Sequence, residues 1–183
     1  MSVDVVVLVS GSGTLLQAIL DNQDDNYRVN LVVADKQCPA LERAENAGVR
    51  TMVVPMEADR GEWNRKLAAA VGSADCDVVV SAGFMRILGP EFLAVYEGRT
   101  INTHPSLLPA FPGANAVGDA LAYGVKVTGC TVHYVDEGMD TGRIIAQRAV
   151  DVRDGESQDA LHERIKKVER EQIVELLQGK VTW

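Results

Sequence analysis

Cysteine is sparse in this chain, at three residues in 183, and Cys38, Cys76 and Cys130 lie far apart with no CxxC pair. An odd, dispersed set argues against a disulfide framework or a zinc site and points to a reducing, cytoplasmic compartment. There is no HxH, HExxH or acid cluster of metal-ligand spacing, so no metal is expected. Apolar runs fall short of the ~18 residues of a membrane span, and the amino terminus lacks the basic region and cleavage site of a signal peptide. Positive charge is also short: 18 Lys+Arg against 26 Asp+Glu leave a net charge of -8. That balance argues against a sequence-independent grip on nucleic acid, although local basic residues can still gather around a cleft and hold a small anion. Repeats, low-complexity segments and Pro/Gly/Ser linkers are missing too, so residues 1–183 read as one domain.

What is present alternates between two periods. The run "VDVVVLV" (3–9) is continuously apolar and β-branched, as a buried parallel strand requires. After "GSG", the segment "TLLQAIL" places Leu15, Leu16, Ile19 and Leu20 on one helical face. "NLVVAD" (30–35), "TMVVP" and "CDVVVSAG" (76–83) read as further strands, with "ALERAENAG" and "DRGEWNRKLAAAVG" as helices between them. This βαβαβαβ rhythm predicts an α/β, doubly wound, Rossmann-like and mostly parallel sheet with helices on both faces. "RTINTH" is a fifth strand and "ANAVGDALAYG" a helix ending at Gly124. "KVTGCTVHYVD" (126–136) and "RIIAQRAVDV" (143–152) follow with no helix between them, which predicts an antiparallel C-terminal addition to the sheet. "SQDALHERIKKVEREQIVELLQG" is a long amphipathic helix, capped by Ser157 and stopped at Gly179.

Three segments have chemistry to offer. "SGSGT" (10–14) joins the first strand to the first helix, where glycine backbone and free helix N–H groups can approach an anion. It lacks the third glycine of G-x-G-x-x-G and the GK[ST] of a P-loop, so a single phosphate monoester suits it better than a pyrophosphate; a tight βα turn that binds nothing is the alternative. "TINTHPSLLPAFPG" (100–113) holds three prolines and one of the three histidines. Asn102 and His104 share one side of an extended segment, and Pro105 stiffens the second of them. An amide can donate to an oxyanion and an imidazole can move a proton near neutral pH; taken alone, the pair also fits a rigid corner with no chemistry. "DEGMDTG" (136–142) supplies loop acids, of which Asp136 and Glu137 read as turn formers. Asp140 is of interest if the loop folds over the strand ends, since a carboxylate beside His104 favours the imidazolium and orients the ring. His133 and His162 are read as structural or surface residues. Ser106 lacks a G-x-S-x-G setting, so a serine hydrolase has little support.

The segments "VVVLVSGSGTLLQAIL", "DVVVSAGFMRIL", "INTHPSLLPAFPG", "GCTVHYVDEGMDTGRII" and "ERIKKVE", in this order, resemble the phosphoribosylglycinamide formyltransferase family from residue 3 to about 178. The resemblance implies formyl transfer from 10-formyltetrahydrofolate, a cosubstrate, to the amine of glycinamide ribonucleotide in purine synthesis, with no metal. It implies Asn102, His104 and Asp140 as the catalytic trio, and Gly13, Thr14, Leu15 and Glu169 as ribonucleotide-binding residues. Arg60, Met85, Arg86, Ile87 and Leu88 match folate-binding positions, together with Asn102. The partners implied are small-molecule substrates, with no nucleic acid or membrane, and the chain is expected to be a monomer or homodimer.

Two positions depart from the family pattern. Asn115 stands where a histidine often follows the Pro-Gly, and Thr14-Leu15 where many members carry an asparagine one or two residues into the first helix. Competing readings are a formyltransferase for an amino sugar or initiator tRNA, a formylfolate hydrolase, and a non-catalytic nucleotide-binding module. The first generally needs a further C-terminal domain, for which this chain has no room. The second has no use for a phosphate-type turn. The third predicts that His104→Ala leaves function intact.

Overall fold

The computed structural model describes residues 1–183. Seven strands form one sheet in the order β3-β2-β1-β4-β5-β6-β7. They span Val3–Val9 (β1), Tyr27–Ala34 (β2), Arg50–Val53 (β3), Val78–Ser81 (β4), Thr100–His104 (β5), Val127–Tyr134 (β6) and Ile144–Asp151 (β7). The first five pair in parallel, whereas β6 pairs antiparallel with both β5 and β7. The predicted sheet and its antiparallel addition are both present, with β6 lying between β5 and β7.

The valine runs explain the centre of the sheet. Parallel strands with helices on both faces must be apolar at every position, and all four residues of β4 are buried. On one face, Val5, Val7 and Val9 pack with Val80, Ile101 and Val132 against α1 (Thr14–Asp21), α2 (Pro39–Asn46) and α6 (Gln158–Leu177). On the other, Val6, Leu8 and Val79 pack against Trp63 and Leu67 of α3 (Arg60–Val71) and Phe92 and Tyr96 of α4 (Pro90–Tyr96). Burying each such valine contributes about 1.5 kcal/mol or more, so a charge at Val7 would strand itself between two layers. The remaining helix, α5 (Ala116–Tyr123), puts Val117 beside Cys130, Val150 and Leu161 under the antiparallel strands.

Local signals behave as read at the long helix: Ser157 Oγ accepts from Ala160 N at 3.1 Å, and Gly179 ends the run with φ 73°. Two features differ from the sequence reading. Strand β2 begins at Tyr27, three residues earlier than expected, because Tyr27 and Val29 are buried while Arg28 between them stays exposed. Helix α4 is not foreseen at all. With seven residues it is too short for a helical period to stand out, and Pro90 at its first turn reads from sequence as a breaker. No helix is long and apolar enough to cross a membrane.

Candidate active site

Side chains alternate along β5, so Asn102 and His104 leave the sheet on the α3/α4 face while Ile101 and Thr103 face α6. The corner after β5 holds the histidine firmly. His104 Nε2 lies 2.8 Å from the carbonyl oxygen of Phe111, which fixes that nitrogen as the N–H donor. Phe111 itself has φ 50°, a left-handed conformation that directs its carbonyl back at the ring. Ser106 is fully buried, and its hydroxyl donates to Ala110 O at 2.6 Å and to Phe111 O at 3.2 Å. It braces the corner and presents no nucleophile. Thr131 Oγ1 donates to Ser106 O at 2.7 Å and accepts from Leu108 N at 3.1 Å, tying the corner to β6.

The 136–142 loop folds over the strand ends and brings Asp140 to this corner. Asp136 closes the loop on itself by accepting from Gly138 N and Thr141 Oγ1, the turn-forming part expected of it. Asp140, at φ 55°, receives Gly113 N on Oδ2 at 2.8 Å, and the same oxygen lies 3.5 Å from His104 Nδ1. Two non-glycine residues in left-handed backbone, Phe111 and Asp140, therefore touch one imidazole. Such conformations cost about 1–2 kcal/mol each and gather where the surroundings over-determine them.

His133, read from sequence as a structural or surface residue, is buried and lies beside the candidate site. The antiparallel register sets it directly opposite Asn102, on the same face. Its Nδ1–H donates to Tyr134 O at 2.8 Å, which leaves Nε2 as an acceptor. That nitrogen stands 3.5 Å from Asn102 Nδ2 and 3.8 Å from Asp140 Oδ1. Pairing of β5 with β6 is the signal that finds it: counting back from the hairpin places 133 against 102. His162 sits half-buried on α6, its pKa lowered by desolvation and then by Lys166, away from these residues.

Gly13, Thr14 and Leu15 begin α1 on the opposite face. Gly13 has φ 76°, and a Cβ there would lie 2.6 Å from that of Ala40, so only glycine fits. No side chain caps this helix, and its first N–H groups remain directed outward. Arg43 adds positive charge: its Nε donates to Ser12 O at 2.7 Å. Glu169 lies on the same face, on the buried side of α6 beside Thr103. Burial pushes its carboxyl up to about 7, against weaker opposing effects of the Thr103 hydroxyl, Lys166 and Arg170.

The segment 82–89 runs along the α3/α4 face. Met85 and Ile87 are exposed and Leu88 is buried. Arg60 reaches it from α3, donating to Ile87 O at 3.2 Å with its guanidinium over the Trp63 ring. Arg86, still partly exposed, pairs with the buried Asp35 at 2.7 Å. Between this segment and the 136–142 loop lies a cleft of about 300 Å³, with Phe84, Ile87, Leu88, Val135 and Met139 on its apolar side and Asn102, His133 and Asp140 at its polar end. A cleft of this size, apolar with a few convergent polar groups, suits one flat heterocycle. Asn115 is turned from both regions, bonded to Asp119 and Gln158 at the start of α5. No group of three His, Cys, Asp or Glu side chains is arranged so as to hold a metal ion.

Comparison with known proteins bears on this arrangement. Residues 3–177 match the family described as Formyl transferase. A phosphoribosylglycinamide formyltransferase of Mycobacterium tuberculosis (strain ATCC 25618 / H37Rv) is 53% identical over 174 residues, spanning 93% of this chain and 81% of the relative. One of Bacillus subtilis (strain 168) is 39% identical over 169 residues, spanning 89% and 87%. The crystal structure of glycinamide ribonucleotide transformylase 1 from Geobacillus kaustophilus superposes with a TM-score of 0.93 at 41% identity, covering 100% of both chains. With the whole sheet, both faces and this level of identity in common, the chain belongs to the phosphoribosylglycinamide formyltransferase family.

Proposed function

We propose that this protein transfers the formyl group of 10-formyltetrahydrofolate to the amine of glycinamide ribonucleotide, a step of purine synthesis. The observation that carries the reading is the approach of Asp140 to His104 at the tip of β5, with Asn102 and Asp140 lining the polar end of an apolar cleft. The cleft receives the pterin of the folate, with Arg86, Ile87 and Leu88 in its wall and with Met85 and Arg60, the other folate-binding residues, beside it. The turn at Gly13, Thr14 and Leu15 receives the phosphate on helix N–H groups, and Glu169 serves the ribose. Both half-sites belong to one domain acting in the cytoplasm on small molecules, as a monomer or homodimer.

The neutral amine of the ribonucleotide attacks the formyl carbon and a C–N bond forms, placing negative charge on the formyl oxygen. Asn102 has one N–H directed at His133 and a second with no protein partner, so it can donate to that oxygen. His104 keeps Nε2–H on Phe111, which leaves Nδ1 as the ring atom that gains or loses a proton. With Nδ1 protonated, the ring is a cation facing Asp140 and stabilises the oxyanion. Collapse breaks the bond to the folate nitrogen, which takes a proton while the attacking nitrogen gives one up; Asp140 and His104 relay it. The acceptor amine is the nucleophile, so no covalent enzyme intermediate forms.

The test mixes the protein with 10-formyltetrahydrofolate, with and without glycinamide ribonucleotide, and follows release of tetrahydrofolate. Turnover should require the ribonucleotide; release at the same rate without it would replace transfer by hydrolysis.

A further inference from the structure

Segment 82–89 contains only short-range structure of its own, yet it must hold one wall of the cleft at fixed distance from β5. Three polar side chains from three different elements grip it from beneath. Ser10, at the carboxyl end of β1, is buried, and its hydroxyl accepts from Met85 N at 2.9 Å. Asn64 of α3 is buried, and its Oδ1 accepts from Gly89 N at 2.7 Å, while its Nδ2 donates to Arg60 O at 2.8 Å. Asp35, just past β2, has 1% of its side chain exposed and pairs through Oδ2 with Arg86 Nε at 2.7 Å. Its other oxygen, Oδ1, is buried with no hydrogen-bond partner.

Each bond is made by a group whose isolation would be unfavourable. A buried carboxylate with a single ionic partner loses its compensation when that partner leaves. Movement of the segment away from the sheet would strand Asp35, Ser10 Oγ and Asn64 Oδ1 together. The acid at the end of a second strand is the position that, in dinucleotide-binding sheets, is open to a ribose. Here the Arg86 guanidinium occupies it.

We propose that Ser10, Asp35 and Asn64 are positioning residues for the formylfolate site: they touch no substrate and act by fixing the segment 85–89, which carries the cleft residues Arg86, Ile87 and Leu88. The proposal rests on the reading of that cleft as the folate site. It is tested by combining amide exchange in the ligand-free protein with steady-state kinetics on Ser10→Ala, Asn64→Ala and Asp35→Ala. Met85 N–H should exchange at least ~10-fold faster in Ser10→Ala, and Gly89 N–H likewise in Asn64→Ala. In all three the KM for 10-formyltetrahydrofolate should rise about 5- to 30-fold, with the ribonucleotide KM within about twofold of the parent. Asp35→Asn keeps an acceptor for Arg86 and should recover most of what Asp35→Ala loses. Unchanged exchange at Met85 and Gly89, or an equal rise in both KM values, would overturn the proposal. Faster exchange with an unmoved formylfolate KM would overturn the folate reading on which it rests.

Discussion

The two faces of the sheet offer different materials for the task proposed for both, holding a ligand. On the α1/α6 face the candidate phosphate site is main chain: a left-handed glycine, a helix start without a side-chain cap, and N–H groups that any residue supplies. On the α3/α4 face the site is side chain: an amide, two imidazoles and a carboxylate, each oriented by a bond to backbone or to another side chain. A main-chain site tolerates changes of side chain but not of backbone path. A side-chain site behaves in the opposite way.

The largest way to test that contrast is His104→Ala, which removes the proposed reacting group outright. Turnover should fall by about 10²–10⁴-fold while thermal stability and the ribonucleotide KM change little. A drop of less than tenfold in single-turnover measurements would count against a chemical role.

Next in size is Glu169→Gln, read through stability. The folded carboxyl holds its proton up to about pH 7, against an ordinary value of 4.5. Between those values the folded chain keeps a proton that the unfolded chain has released. Stability from this group is therefore complete below pH 4.5, falls as pH rises, and is lost above about 7. Glutamine is neutral throughout, so urea unfolding of ligand-free protein should show the variant gaining on the parent between pH 4.5 and 8, by on the order of 2–3 kcal/mol. A constant difference across that range would show that Glu169 is ionised in the fold.

Gly13→Ala tests the main-chain side. Its Cβ would need Ala40 to move, and its φ is unfavourable for alanine, together costing about 1–3 kcal/mol. The ribonucleotide KM should rise about tenfold with the formylfolate KM nearly unmoved; the reverse pattern would place the phosphate elsewhere. The smallest effect is expected for Asn115→His. Asn115 bonds only to Asp119 and Gln158, so the ribonucleotide KM should change by no more than about twofold. A change of tenfold would bring that side chain into the site.

Legibility in the sequence divided along the same line. The parallel sheet, its antiparallel end and the caps of α6 follow from period, β-branching and turn residues. Those signals are local, and the structure agrees with them. The glycine turn was visible as a pattern because backbone conformation is written in glycine. The nearness of His133 to the candidate site is not legible because it depends on register with Asn102, 31 residues away, and a strand histidine by itself looks like any buried polar residue. The bond of Arg86 to Asp35 spans 51 residues and crosses three strands of the sheet, which no local signal encodes. Arg43 was hidden for the same reason, as one more charged residue of an amphipathic helix.

The carbonyl of Phe111 has a consequence for how this protein tolerates mutation. The atom that holds His104 Nε2 exists in all twenty amino acids, so no single substitution at 111 can delete it. What substitution can change is the ease of φ 50°, and glycine or asparagine would adopt that more readily than phenylalanine. A saturation library at 111 should therefore be far more permissive for activity than one at 104, with β-branched residues as its failures. The proton-bearing atom of the histidine is inherited from the course of the chain rather than from the identity of its neighbour.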